Sequence, residues 1–92
     1  MKIEFDPNKN AKNILERGLS FENVRKFDFL TATYIVDDRH DYGETRHIAI
    51  GYLNKRLHVL CFKQIIDGIR VISFRKANKK EAIKYEKPIT IN

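Results

Sequence analysis

A chain of 92 residues with 42% hydrophobic content has material for one small core, so residues 1–92 read as a single domain. Its 18 Lys and Arg outnumber 12 Asp and Glu, and the resulting net charge of +6 points to a polyanionic partner. No apolar run approaches the roughly 20 residues of a spanning helix, and the opening Met1-Lys2-Ile3-Glu4-Phe5 lacks the apolar stretch of a secretory signal, so the expected setting is the cytoplasm, away from membranes.

In Asp6-Pro7, Asp6 can cap a helix and Pro7 fits its first position, while Gly18 suits its end. Ala11, Ile14 and Leu15 give this helix a short apolar stripe. Ser20 can cap a second helix, in which Phe21, Val24 and Phe27 or Asp28 follow a three-to-four spacing. From Met1 to Leu30 six positive residues balance five negative ones, so this part is expected to support the fold or to meet a protein partner.

After Thr31 the pattern turns to β-branched and aromatic runs, predicting strands near Thr33 to Val36, Thr45 to Leu53, Arg56 to Lys63 and Ile69 to Arg75. Asn54-Lys55 fits a tight hairpin, and Asp67-Gly68 a second turn in which Gly takes a positive φ. Asn78 and Glu81 have the spacing of a capping box for a last helix, and Pro88 discourages its continuation past Lys87. The expected fold class is therefore α+β, with two N-terminal helices, a four-stranded, mainly antiparallel sheet and a C-terminal helix.

Charge gathers at the end of the chain: Ile69 to Asn92 hold seven Lys or Arg against two Glu, +5 of the net +6. Arg suits phosphate because its fork of donors stays charged at physiological pH. Arg70 and Arg75 are five positions apart and face opposite sides of an ideal strand, roughly 16 Å apart. A bulge or strand end near Ser73 to Lys76 can re-aim Arg75, or the two can contact successive phosphates; the spacing leaves both open. Lys76, Lys79, Lys80, Lys84 and Lys87 are individually plain solvated charges, and together they give salt-sensitive phosphate affinity. Glu44 and Arg46 share a strand face, either as an ion pair or as a proton acceptor beside an Arg that holds a phosphate. Glu81 and Tyr85 share a helix face, which can turn the phenol toward the sheet or into the core.

Other chemistries lack their residues. His40, His47 and His58 have no zinc-site spacing, the four glycines are scattered singly, and the lone Cys61 lies in an apolar run as a small hydrophobe. No metal or cofactor is expected.

Over nearly its whole length the chain resembles the BrnT toxins of bacterial type II toxin–antitoxin modules, a family of ribonucleases with a RelE-like fold. The resemblance rests on Phe5-Asp6-Pro7 with Lys9 and Asn13, Gly18 with Phe21-Glu22, and Asp38-Arg39 before Asp41-Tyr42-Gly43-Glu44, Arg46 and Gly51. It continues in Arg70-Val71-Ile72-Ser73, Arg75-Lys76-Ala77, Glu81 and Tyr85. Two places depart from the family: Glu16-Arg17 replaces its usual Lys-His, and Phe74 its usual small residue.

The resemblance implies metal-independent cleavage of single-stranded RNA through attack by the 2′-hydroxyl, inhibiting translation. The candidate catalytic residues are Glu44 as base or orienting carboxylate, Arg46, Arg70 and Arg75 for the phosphate, and Tyr85 to position a base. Arg39, Lys76, Lys79, Lys80 and Lys84 are candidate RNA-binding residues. It also implies a cognate BrnA-like antitoxin, as a heterotetramer, that covers the active face and alone contacts DNA. The alternative is a non-catalytic basic module that holds RNA or an acidic protein. A DNA-binding repressor fits less well, for want of a basic recognition helix.

Overall fold

The computed structural model describes all 92 residues and runs β1 (Lys2–Phe5), α1 (Pro7–Arg17), a 3₁₀ helix (Phe21–Lys26), β2 (Thr33–Asp37), β3 (Arg46–Leu53), β4 (Arg56–Ile65), β5 (Gly68–Lys76) and α2 (Lys79–Lys84). One sheet orders the strands β1-β5-β4-β3-β2; β2 to β5 form an antiparallel meander, and β1 joins β5 in parallel. The expected RelE-like arrangement, two helices ahead of a four-stranded, mainly antiparallel sheet, is thereby overturned. There are five strands in a mixed sheet, and only one of the two N-terminal helices is an α-helix.

Both corrections have physical causes. β1 has only four residues, and what makes it a strand is its pairing with Gly68 to Val71 at the other end of the chain. In the second helix the buried residues are Phe21 and Val24, followed by the buried Phe27 that ends it. A spacing of three matches the three residues per turn of a 3₁₀ helix, so two tight turns bring all three against the sheet.

Local signals otherwise act where they stand. The Asp6 carboxylate accepts from Asn8 N at 2.8 Å, Pro7 opens α1, and Gly18 closes it in the left-handed region at φ 63°. Asn78 and Glu81 form the complete capping box of α2. Asn54 and Lys55 both take positive φ, as a two-residue hairpin of strands with right-handed twist requires. The next turn differs from expectation. Asp67, not Gly68, has the positive φ, and Gly68 is the first residue of β5, pressed against the backbone of Lys2.

The sheet separates two cores. One face packs Leu60, Phe62, Val71 and Phe74 under Phe21, Val24 and Phe27. On the other, Ile50, Tyr52, Leu57 and Val59 meet Ala77, Ala82 and Tyr85 from the α2 segment. α1 adds little to either: Leu15 is 87% exposed and Ile14 is 45% exposed. Asparagines attach it instead. Asn10 Oδ1 accepts from Phe21 N, and the buried Asn13 donates to the carbonyls of Leu19 and Phe74.

Candidate functional site

A β-bulge decides what the basic strand β5 presents. Cys61 pairs with Ser73 and the adjacent Phe62 pairs with Val71, so Ile72 is one residue too many on β5. Cross-strand partners share a face, and Lys63, Cys61 and Val59 alternate on β4, so their partners Arg70, Ser73 and Arg75 all face one way. Arg46, Ile48 and Ile50 of β3 and Ile35 and Asp37 of β2 lie on the same side. The opposed facing expected of an ideal strand does not occur. The partners of Arg70 and Arg75 on β4, Lys63 and Val59, are still four positions apart, roughly 13 Å along the sheet.

The candidate residues fall into two groups. At one end of the sheet, Arg46 Nε binds Glu44 Oε2 at 3.1 Å and its guanidinium lies 3.9 Å from the Tyr42 ring centre. Lys63 also reaches Glu44, at 3.5 Å, and Arg70 binds Glu4 of β1. The bond from Arg46 holds the Glu44 carboxyl below its ordinary value, and Lys63 adds to this, so Glu44 is a weak proton acceptor.

Next to this group a cleft of about 470 Å³ opens between the sheet and α2, floored by Ile48, Ile50, Val59 and Cys61. Arg75, Glu81, Lys84 and Tyr85 line one side, and Asp38 and Arg39 the other. Arg75 Nη1 and Nη2 donate to Glu81 Oε1 and Oε2 at 2.8 and 2.7 Å, a two-bond fork. That pair raises the pKa of Arg75 and lowers that of Glu81, so both stay charged throughout the neutral range. The positive charge of Arg39 acts against the charge on Arg75, as expected of two guanidinium groups that share a cleft. Lys84 Nζ lies 5.4 Å from the centre of the Tyr85 ring.

Arg39, Arg75, Lys84 and Tyr85 thus come together, whereas Glu44, Arg46 and Arg70 do not line the cleft. Lys76 pairs with His58 and faces the other side of the sheet; Lys79 and Lys80, on the first turn of α2, line no cleft. Glu81 was absent from the expected site. Its capping-box spacing was visible, but the same carboxylate also receives Arg75, a contact that only the fold creates. Burial raises the Cys61 thiol on the cleft floor, which suits packing and not nucleophilic attack. His58 is held neutral by burial, and its Nδ1 donates to Arg56 O on the far face.

A family model described as "Ribonuclease toxin, BrnT, of type II toxin-antitoxin system" matches residues 5–81. The chain belongs to the BrnT family. No curated protein matches it. The family is one of ribonuclease toxins, and a type II system pairs its toxin with a protein antitoxin. The BrnT match runs from β1 to Glu81, so it includes Arg39, Arg75 and Glu81 and stops before Lys84 and Tyr85. No helix is long and apolar enough to cross a membrane.

Asp37 anchors the BrnT loop that carries Arg39. Its carboxylate accepts from Arg39 Nε at 2.8 Å, Arg39 Nη2 at 2.9 Å and the Tyr42 hydroxyl at 3.2 Å. The Arg39 bonds are the main reason that this carboxyl is held far below the ordinary carboxylate range. A depressed carboxylate stabilises the fold above its unfolded pKa, near 4, and this stabilisation fades as pH falls from about 5 toward the depressed value. Asp37→Asn is therefore expected to cost roughly 1–2 kcal/mol at pH 7, at the low end because Arg39 is largely exposed. Urea midpoints measured down the pH scale should show the variant and parent converging below pH 4.

Proposed function

We propose that the cleft between the sheet and α2 accepts single-stranded RNA and cleaves it by attack of a 2′-hydroxyl on the adjacent phosphorus, without a metal ion. The observation that carries this reading is the meeting of Arg75, Arg39, Lys84 and Tyr85 in one cleft. Such cleavage needs a proton taken from the 2′-hydroxyl, stabilisation of the charged phosphorane and a proton for the leaving oxygen. Arg75 stabilises the phosphorane, with Arg39 and Lys84 neutralising the neighbouring backbone. Tyr85 positions a base by stacking. Glu81 aims the guanidinium of Arg75 and is a positioning residue. The reading gives charge stabilisation to guanidinium and ammonium groups.

Arg46, Arg70 and Lys63 lie on the same face outside the cleft and fit contacts with flanking phosphates of a longer strand, with Glu44 as the carboxylate that orients Arg46. For the antitoxin, a BrnA-like protein in a heterotetramer is the expected partner. The stripe of Ile14 and Leu15, left uncovered on α1, offers it apolar surface.

The test is incubation of the purified, antitoxin-free protein with a labelled single-stranded RNA in EDTA, beside the same oligonucleotide carrying 2′-deoxy sugars. Fragments with cyclic or 3′-phosphate ends from the RNA alone are expected. Fragments from the deoxy strand would overturn the 2′-hydroxyl mechanism. Salt-sensitive binding of intact RNA without product would establish the non-catalytic module instead.

A further inference from the structure

Arg75 belongs to a second cleft as well. On the side of the sheet that carries α1, a space of about 380 Å³ is lined by Arg17, Gly18, Leu19, Arg75 and Lys76, three cations and no carboxylate. Arg39, Arg46, Arg70 and Arg75 each have a carboxylate partner, whereas Arg17 and Lys76 have none. Arg17 is nonetheless held in place. Its Nη1 donates to Asn13 Oδ1 at 2.9 Å, and the Nδ2 of buried Asn13 donates to the carbonyls of Leu19, which lines the space, and Phe74, the residue before Arg75. The remaining guanidinium donors of Arg17 have no protein acceptor. The Arg17 and Lys76 side chains are both exposed and neither has a carboxylate partner, so their donors are free to meet an anion.

We propose that this second cleft is a phosphodiester subsite, in which Arg17 and Lys76 bind a backbone phosphate of the strand whose neighbouring phosphate lies at Arg75. The proposal rests on the RNA reading of the first cleft and adds the path of the strand: it passes over the end of β5 at Arg75, the residue common to both clefts, toward the C-terminal end of α1. The chemistry recognised is the phosphodiester and not the sugar. A purely structural Arg17, serving the negative end of the α1 dipole, would bind no phosphate.

The experiment is fluorescence anisotropy of a labelled, uncleavable 2′-O-methyl oligonucleotide, titrated with the parent, Arg17→Gln and Lys76→Ala proteins over a series of NaCl concentrations. Each variant is expected to bind roughly tenfold more weakly, with a slope of log affinity against log salt shallower by about 0.7, the value for one released contact on a single strand. The double variant should lose little more slope than either single one, because one phosphate is lost. Single-stranded DNA of the same sequence should show the same decrements. Lys76 makes no hydrogen bond or ion pair through its side chain, so Lys76→Ala decides the matter if Arg17→Gln destabilises the fold. Normal parental binding with unchanged variant slopes would overturn the subsite and leave the first cleft standing; no parental binding would overturn both. Unchanged slopes with weakened competition by inorganic phosphate would mark a site for the free anion and also overturn the proposal.

Discussion

Cleavage of single-stranded RNA is expected to fall roughly 100-fold when Arg75 is replaced by alanine, the range found when one preorganised donor to a developing oxyanion is removed. Two effects add in the same direction. The guanidinium that would meet the phosphorane is lost, and Glu81, which had both oxygens on Arg75, is left as an uncompensated carboxylate facing the phosphate. The comparison with Arg70→Ala separates location from charge. Arg70 sits at the far end of the face and is bound to Glu4, so its removal should cost less than that of Arg75 at the same change in net charge. Rates for the three proteins, with thermal midpoints to verify folding, check the prediction. Equal losses would show that only the overall positive field matters, and an unchanged rate for Arg75→Ala would remove Arg75 from the site.

The largest effect on stability is expected at Gly68. A Cβ there would lie 2.6 Å from the carbonyl carbon of Lys2 and 2.7 Å from its nitrogen, inside the backbone of the parallel neighbour. Backbone atoms cannot rotate away as a side chain can. Gly68→Ala must therefore push β1 off β5, loosening Ile3 and Phe5 from the core and drawing Glu4 from Arg70. The expected cost is about 2–3 kcal/mol, a fall in melting temperature of roughly 10–20 °C for a domain of this size. Gly51→Ala is a useful contrast. Its Cβ would lie 2.8 Å from the Phe27 ring tip, which can swing aside, and 2.9 Å from the Ala32 methyl and 3.2 Å from Asp28 O, which move only with the backbone, so the loss should be smaller than at Gly68 but still measurable. A Gly68→Ala protein that melts with the parent would mean that β1 does not pair there.

These two residues show how unevenly the sequence discloses the molecule. Arg75 was visible as a cation on a basic strand, but its facing was not, because the bulge at Ile72 is a property of the β4–β5 ladder and not of the β5 residues alone. Gly68 was visible as a turn residue for the wrong reason. The glycine there answers to Lys2, a neighbour distant in the chain, and Asp67 takes the positive φ instead. Glu81 was legible as a helix cap, and its second task as the carboxylate on Arg75 was not.

The sequence by itself determined whatever depends on a few adjacent residues or on their sum. That includes the caps at Asp6, Ser20 and Asn78, the hairpin at Asn54-Lys55, four of the five strands, the basic character of the last quarter and the motifs of the BrnT family. Capping, turn geometry and hydrophobic alternation are local, so they leave a local trace. Only the tertiary structure decided that β1 closes the sheet in parallel, that Phe21 and Val24 wind as a 3₁₀ helix ended by Phe27, and that Arg39, Arg75, Lys84 and Tyr85 line a cleft that Glu44, Arg46 and Arg70 do not line. Each of these depends on pairing register and on burial against distant partners, and a one-residue bulge is enough to turn a side chain from one face of the sheet to the other.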